Sequence, residues 1–179
     1  MCGYGRPVDD PELPAILEKG TRVFADGVYL MADCFGLALD DVVFTYELGA
    51  CTEDVDLGWY QLPKGSLGAN YLKYQGIVDG VPRVEVHIEW QMTPHTEPHW
   101  NVQGCYITKI TGDPYASSKH RILPKPGTDF TNPEAFAAVS MTVTGMPALN
   151  AIPAVVAAQP GVITSADLPL RAFAGRFGR

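Results

Sequence analysis

Hydrophobic residues recur at helical spacing in the first part of the chain. Asp9 and Asp10 before Pro11 are typical of a helix start, because aspartate caps a helix and proline is tolerated in its first turn. This first predicted helix ends near Gly20. A second helix is predicted from about residue 22 by four hydrophobic side chains at three-to-four spacing, which are Phe24, Val28, Met31 and Phe35.

The hydrophobic period then changes to two, which indicates β-strands. Residues 42–48 are rich in β-branched and aromatic side chains, and residues 69–78 lead into Asp79 and Gly80, a dipeptide typical of tight hairpins. The return strand alternates strictly, and its apolar side is formed by Val84, Val86, Ile88, Trp90 and Met92. Its polar side is formed by Arg83, Glu85, His87, Glu89 and Gln91.

A further pair of strands is predicted at residues 105–110 and 115–122, and helices at 132–145 and 148–158, which Met146 and Pro147 separate. Strands that follow one another through tight turns pair antiparallel. The pattern therefore predicts an α+β fold, with an open, mainly antiparallel sheet and helices packed on one face. Residues 1–179 fit one domain, and residues 168–179 are expected to form a tail that is flexible or docks elsewhere.

Charge and composition restrict the classes of partner. The formal net charge of −7 argues against nucleic acid and anionic membranes. No continuous apolar run approaches the ~18 residues of a membrane span, and no signal peptide is visible. Four cysteines without CxxC spacing are interpreted as buried free thiols in a reducing compartment. These observations predict a cytoplasmic protein.

The most polar stretch is HIEWQMTPHTEPHW at residues 87–100. His95, Glu97 and His99 share one side if this stretch is extended, which is a geometry that metal sites use. A complete ligand set is not fixed by spacing, however, so a polar loop or pocket rim is the preferred interpretation. No serine stands in a nucleophile elbow, and no pair of acidic residues is singled out as a catalytic dyad. The catalytic residues stay unassigned.

The stretch Gly3, Tyr4 and Gly5 has two glycines of a dinucleotide fingerprint. Such a site needs a preceding strand and a following helix N-terminus. Here no strand is predicted before it, and Asp9 and Asp10 would repel a pyrophosphate. We therefore expect a flexible entry loop, and no cofactor bound by this chain alone.

Several segments together resemble a known family. They are GRPVDDPELP at 5–14, TEDVDLG at 52–58, EPHW at 97–100, TGMPALNAIPAV at 144–155, PGVIT at 160–164 and DLP at 167–169. In this order they are similar to the C-terminal half of the dihydrodipicolinate-reductase-like proteins. That family includes 2,4-diaminopentanoate dehydrogenase and the native NAD(P)-dependent amine dehydrogenases.

The resemblance implies a domain that provides the substrate pocket and an antiparallel sheet for dimerisation. NAD(P) would be bound by a Rossmann domain, which this chain lacks. The resemblance also implies that Met146, Asn150 and residues 142–144, including Thr144, lie near the substrate pocket. Asn150 serves equally well as a helix N-cap after the break at Pro147. Trp90 and Trp100 are interpreted as walls of an apolar pocket, or alternatively as core or interface residues.

Three functional hypotheses remain open at this point. The first is the substrate-binding and dimerisation half of an NAD(P)-dependent amine dehydrogenase or similar oxidoreductase, present as a fragment or as a split subunit beside a separate Rossmann subunit. Its substrate would be a small amine or carbonyl compound. The second is a small-molecule-binding or oligomerisation domain without cofactor. The third is a stand-alone lyase, isomerase or cyclase that reuses the fold.

A homodimer is expected from the strand at residues 69–78. Its hydrophobic residues fall on both faces of the sheet, and they are Tyr71, Leu72, Tyr74, Ile77 and Val78. Two-sided apolarity in an antiparallel sheet favours a covering partner. The alternative is that residues 51–65 fold over the second face within one chain.

The histidine-rich stretch provides the first test. Because no complete ligand set is fixed by spacing, we predict that the purified protein retains no stoichiometric metal. Elemental analysis after dialysis measures this directly. One equivalent of zinc or iron that survives dialysis, and that is lost in His95→Ala or His99→Ala, would contradict the prediction.

Overall fold

The computed structural model describes residues 3–129, 133–165 and 167–168. The chain divides into two compact units, Met1–Val102 and Gln103–Arg179, where the sequence predicts one domain. Most of the expected tail at residues 168–179 lies outside the described residues.

The first unit contains a four-stranded antiparallel sheet. Its long strands are β1 (Asp41–Cys51), β4 (Leu67–Val78) and β5 (Val81–Gln91), and a short β6 (Thr96–Glu97) completes the order β5-β4-β1-β6. Two further short strands, β2 (Val55–Asp56) and β3 (Gln61–Leu62), pair with each other. Asp79 and Gly80 have φ values of 52° and 73°, as a tight hairpin between β4 and β5 requires. The predicted α+β class and open antiparallel sheet are confirmed.

Two helices pack on one face of this sheet. They are α1 (Leu13–Thr21) and α2 (Val23–Cys34), and they bury a core with Leu67 and with even-numbered side chains of β4 and β5 after Gly68. Leu72 is fully buried there, and Thr21 Oγ1 lies 2.8 Å from the Tyr74 hydroxyl. The core consists of Leu13, Leu17, Val28, Ala32, Leu67, Leu72, Tyr74, Val84 and Ile88. The apolar side predicted for the return strand is the side that faces these helices.

The opposite face of the sheet, called the open face below, is more polar than expected. Leu72 and Tyr74 belong to the helix-covered core, so only Tyr71 and Ile77 of the expected apolar set alternate onto the open face. Tyr71 pairs in register with Glu47 and Glu89, and the next residue of β4 on this face, Lys73, pairs with His87. Apolar residues of β4 thus lie on both faces of the sheet, but those on the open face have charged neighbours, and whether a partner covers this face stays a prediction.

The second unit contains a hairpin and one long helix. Strands β7 (Tyr106–Ile110) and β8 (Ala116–His120) pair antiparallel, as predicted for this region. The two helices expected at 132–145 and 148–158 are a single helix, α3 (Pro133–Ala157), with Pro147 and Pro153 inside it. The predicted break at Met146 and Pro147 is wrong, because the helix continues through Pro147 although an interior proline removes one backbone hydrogen bond.

Helix α3 also changes the conclusion about apolar length. Residues Ala137–Ala157 have a mean hydropathy of up to 1.4 and no buried residue, so they are long and apolar enough to cross a membrane by length and composition alone. One such helix is weak evidence for a membrane span. The thiols differ from expectation as well: Cys51 is buried, Cys105 is partly buried, and Cys34 is exposed.

The contact between α2 and β4 provides a stability test. A Cβ at Gly76 would lie 2.7 Å from Val28 and 3.0 Å from Leu39, so Gly76→Ala should lower the free energy of unfolding by about 1–3 kcal/mol. Gly27→Ala in α2 is the control, since its Cβ would meet nothing within 4 Å, and it should stabilise the protein by about 0.5–1 kcal/mol. Urea denaturation measures both. Equal stability of Gly76→Ala and the wild type would contradict this packing.

Candidate functional site

Trp90 lies on the helix-covered face, at the end of the sheet. It stands opposite Asn70 in the register of β4 and β5. Its ring meets Phe24 of α2 edge to face, with 5.8 Å between the ring centroids. With 36% of its surface exposed, Trp90 borders both the core and the solvent. This position is compatible with a pocket wall and with core packing.

Trp100 lies on the open face. A Cβ built on Gly49 would approach the Trp100 ring to 2.9 Å and the Cβ of Ala69 to 3.2 Å. Gly49 pairs with Ala69, which alternates to the side opposite Asn70 and Trp90. The two tryptophans are thus on different faces of the sheet. The structure does not bring them together as walls of one pocket.

Asn70 is a buried polar residue that the sequence pattern does not single out. Only 1% of its surface is exposed, and its neighbours in register are Leu48 on β1 and Trp90 on β5. Its Nδ2 donates to the Tyr4 hydroxyl at 3.0 Å. Its Oδ1 is buried and has no hydrogen-bond partner among the described residues. An unsatisfied buried acceptor costs about 1–3 kcal/mol, so this amide calls for an explanation.

The segment Gly3, Tyr4 and Gly5 holds the Tyr4 side chain over Asn70. The Gly5 amide donates to the Leu67 carbonyl at 3.1 Å, and the Leu67 amide donates to the Arg6 backbone carbonyl at 2.8 Å. The segment is therefore hydrogen-bonded to the start of β4, and the flexible entry loop expected here is wrong. Both glycines have positive φ, 81° and 82°, which favours glycine at these positions.

The same segment does not fit a dinucleotide. A Cβ at Gly5 would lie 2.5 Å from the Tyr60 hydroxyl, and one at Gly3 would collide with Leu13, so side chains fill the space that a phosphate would need. The Gly5 amide is already used by Leu67.

The three histidines of residues 87–100 each contact different groups. His95 Nδ1 lies 3.2 Å from a carboxylate oxygen of Glu53, and His99 Nδ1 lies 3.0 Å from the Pro94 carbonyl. Glu97 is in β6, beside β1. Within residues 3–129, 133–165 and 167–168, no group of three His, Cys, Asp or Glu side chains is arranged to hold a metal ion.

A hydrogen-bonded row of three side chains crosses the open face. The Tyr71 hydroxyl lies 2.6 Å from His87 Nδ1, and His87 Nε2 lies 2.6 Å from Glu85. A neutral imidazole with its proton on Nε2 donates to Glu85 and accepts from Tyr71. The hydrogen bond from His87 lowers the pKa of Glu85. Partial burial, together with Glu89, Glu47 and Glu85, raises the pKa of Tyr71.

Thr144, Met146 and Asn150 lie in the second unit, on α3. Thr144 Oγ1 donates to the Ser140 carbonyl at 2.9 Å, within the helix. Met146 and Asn150 are exposed and four residues apart, so they share one side of α3. Asn150 is in the middle of the helix, which rules out the N-cap alternative. Whether these residues bind substrate stays a prediction.

Comparison with known proteins gives one distant relative to report. No family model matches the chain. The chain is 28% identical over 185 aligned residues to a protein named amine dehydrogenase from Streptomyces virginiae. The match includes 100% of this chain and 49% of that protein, so the chain spans about half the length of the curated relative. This similarity supports a distant relationship to an oxidoreductase of the amine dehydrogenase type.

The row on the open face predicts a pH effect on stability. The pKa of Glu85 in the folded protein is below its ordinary value of 4.5. The ionised Glu85 carboxylate therefore stabilises the folded protein fully above pH 4.5, and this stabilisation is lost as the pH falls through the lower folded-state pKa. The free energy of unfolding should therefore fall more steeply in acid for the wild type than for Glu85→Gln. Urea titrations between pH 7 and pH 3 measure this, with Glu89→Gln as control. Parallel curves for wild type and Glu85→Gln would contradict it.

Proposed function

We propose that this chain is the substrate-binding and dimerisation part of an NAD(P)-dependent oxidoreductase related to amine dehydrogenases. Its substrate is a small amine or carbonyl compound. The observation that carries the proposal is the similarity over the whole chain to half of a protein named amine dehydrogenase. The proposal places NAD(P) on a Rossmann domain outside the described residues, since the glycine segment at the start of the chain is filled by its own side chains.

The exposed apolar surface of α3 supports the presence of a further domain that covers this helix. Several large apolar side chains of this helix are exposed, including Met141 at 74% and Val156 at 79%. The others are Met146, Leu149, Ile152 and Val155. Contiguous exposed apolar surface of this kind marks interaction sites. In the proposal this surface meets the nucleotide-binding domain, which places Met146 and Asn150 close to the reacting groups.

The dimer of the proposal forms through the open face. That face mixes carboxylates with Lys73 and His87, and it includes Val43, which is 37% exposed. Interspersed charges of both signs suit a self-complementary interface, because each copy presents acids to the bases of the other. No covering helix was found on that face in the described part of the first unit.

Light scattering at micromolar concentration tests the dimer. We expect a mass of twice 19.4 kDa. Lys73→Glu should shift the protein towards monomer, because it adds a carboxylate beside Glu47, Glu85 and Glu89. Lys19→Glu makes the same charge change at an exposed residue of α1, away from the open face, and should leave the mass unchanged. A mass near 19.4 kDa for the wild type would refute the dimer.

A chimera tests the activity. In the chimera, this chain replaces the matching segment of the Streptomyces virginiae protein. Oxidation of NAD(P)H is then measured in the presence of ammonia and a panel of carbonyl compounds. We expect turnover that depends on both ammonia and the carbonyl compound. A folded chimera that binds NAD(P)H without turning over any member of the panel would contradict the proposal. It would favour the second candidate, a binding domain without catalysis, which the buried amide of Asn70 also supports.

A further inference from the structure

We propose that Asn70 is the recognition point for the amino group of a small ligand, with Oδ1 accepting an N–H hydrogen bond. This inference rests on the proposed function and names the residue that binds the amino group of the substrate. It starts from the one buried side-chain oxygen that has no partner among the described residues. A carbonyl oxygen in this state selects for a ligand that donates a hydrogen bond.

The surroundings of Asn70 are apolar, so the amide is not required for packing. Leu48 and Trp90 flank it across the sheet, and Leu72 follows it on the same face. A hydrophobic residue here would avoid the cost of a buried acceptor without a partner. Asparagine at this position thus lowers stability, as residues that serve ligand binding often do.

Aromatic rings border Asn70 on the side towards solvent. Tyr4 is half-buried and holds Nδ2 of the amide, while Trp90 is 36% exposed and stands directly opposite in the sheet. Phe24 packs against the edge of Trp90. Because only 1% of the Asn70 surface is exposed, the proposal requires the Tyr4 side chain to move aside when a ligand binds. Aromatic faces suit both the hydrocarbon part of an amine and its positive charge.

The test compares two cations that differ in their N–H groups. Cyclohexylammonium donates hydrogen bonds, whereas cyclohexyltrimethylammonium has the same charge and ring but no N–H. Ligand-observed NMR titration of the full chain gives both affinities. We expect the wild type to bind cyclohexylammonium roughly three- to tenfold more tightly, the range of one hydrogen bond. Asn70→Leu should abolish this preference and melt at or above the wild-type temperature.

Two further variants keep the test decisive. Asn70→Ala should lose the preference as well, and it replaces Asn70→Leu if the larger side chain prevents folding. Asn101→Leu, which removes an exposed amide, should keep the preference. If Asn70→Leu or Asn70→Ala still prefers cyclohexylammonium, the inference is wrong while amine binding, and with it the proposed function, stands. If neither probe saturates the wild type, the inference fails and the proposed substrate class loses its support.

Discussion

The close contact between α2 and the sheet at Gly76 is the constraint on which the first unit depends. Val28 and Leu39 occupy the space where a Cβ of residue 76 would be, so the helix approaches the backbone of β4 directly. This contact assigns one face of the sheet to the hydrophobic core. Because strands alternate, it also assigns Tyr71, His87 and Glu85 to the other face. The division between the core and the proposed dimer surface follows from it.

The same alternation places the candidate site at the margin of the core. Asn70 is on the core face, but it lies beyond Leu72, where Tyr4 and Trp90 cover the sheet. Burial makes its unpaired oxygen costly, and its cross-strand neighbour Trp90 is itself 36% exposed. A buried amide beside aromatic side chains provides a directional hydrogen bond within an apolar surface, and small-molecule sites usually combine these two features. This arrangement supports a binding role for the first unit.

Local patterns predicted the elements, but contacts between distant residues could not be predicted. The strict alternation at residues 83–92 identified both faces of β5, and Asp79 with Gly80 identified the hairpin. Asn70 was missed because its partner Tyr4 is 66 residues away. Trp90 and Trp100 were grouped by nearness in sequence, although the loop between them carries Trp100 to the open face. Proline after Met146 predicts a helix end, whereas α3 continues through Pro147.

In the proposed function this chain provides substrate binding, and the nicotinamide cofactor is bound outside it. Titration of the full chain with NADPH, followed by the fluorescence of the reduced nicotinamide, tests this division of roles. We expect no saturable change at micromolar concentrations, because Tyr60 and Leu13 fill the space beside the two glycines. Saturable binding with a micromolar Kd would overturn the proposal, since it would require a nucleotide site within this chain.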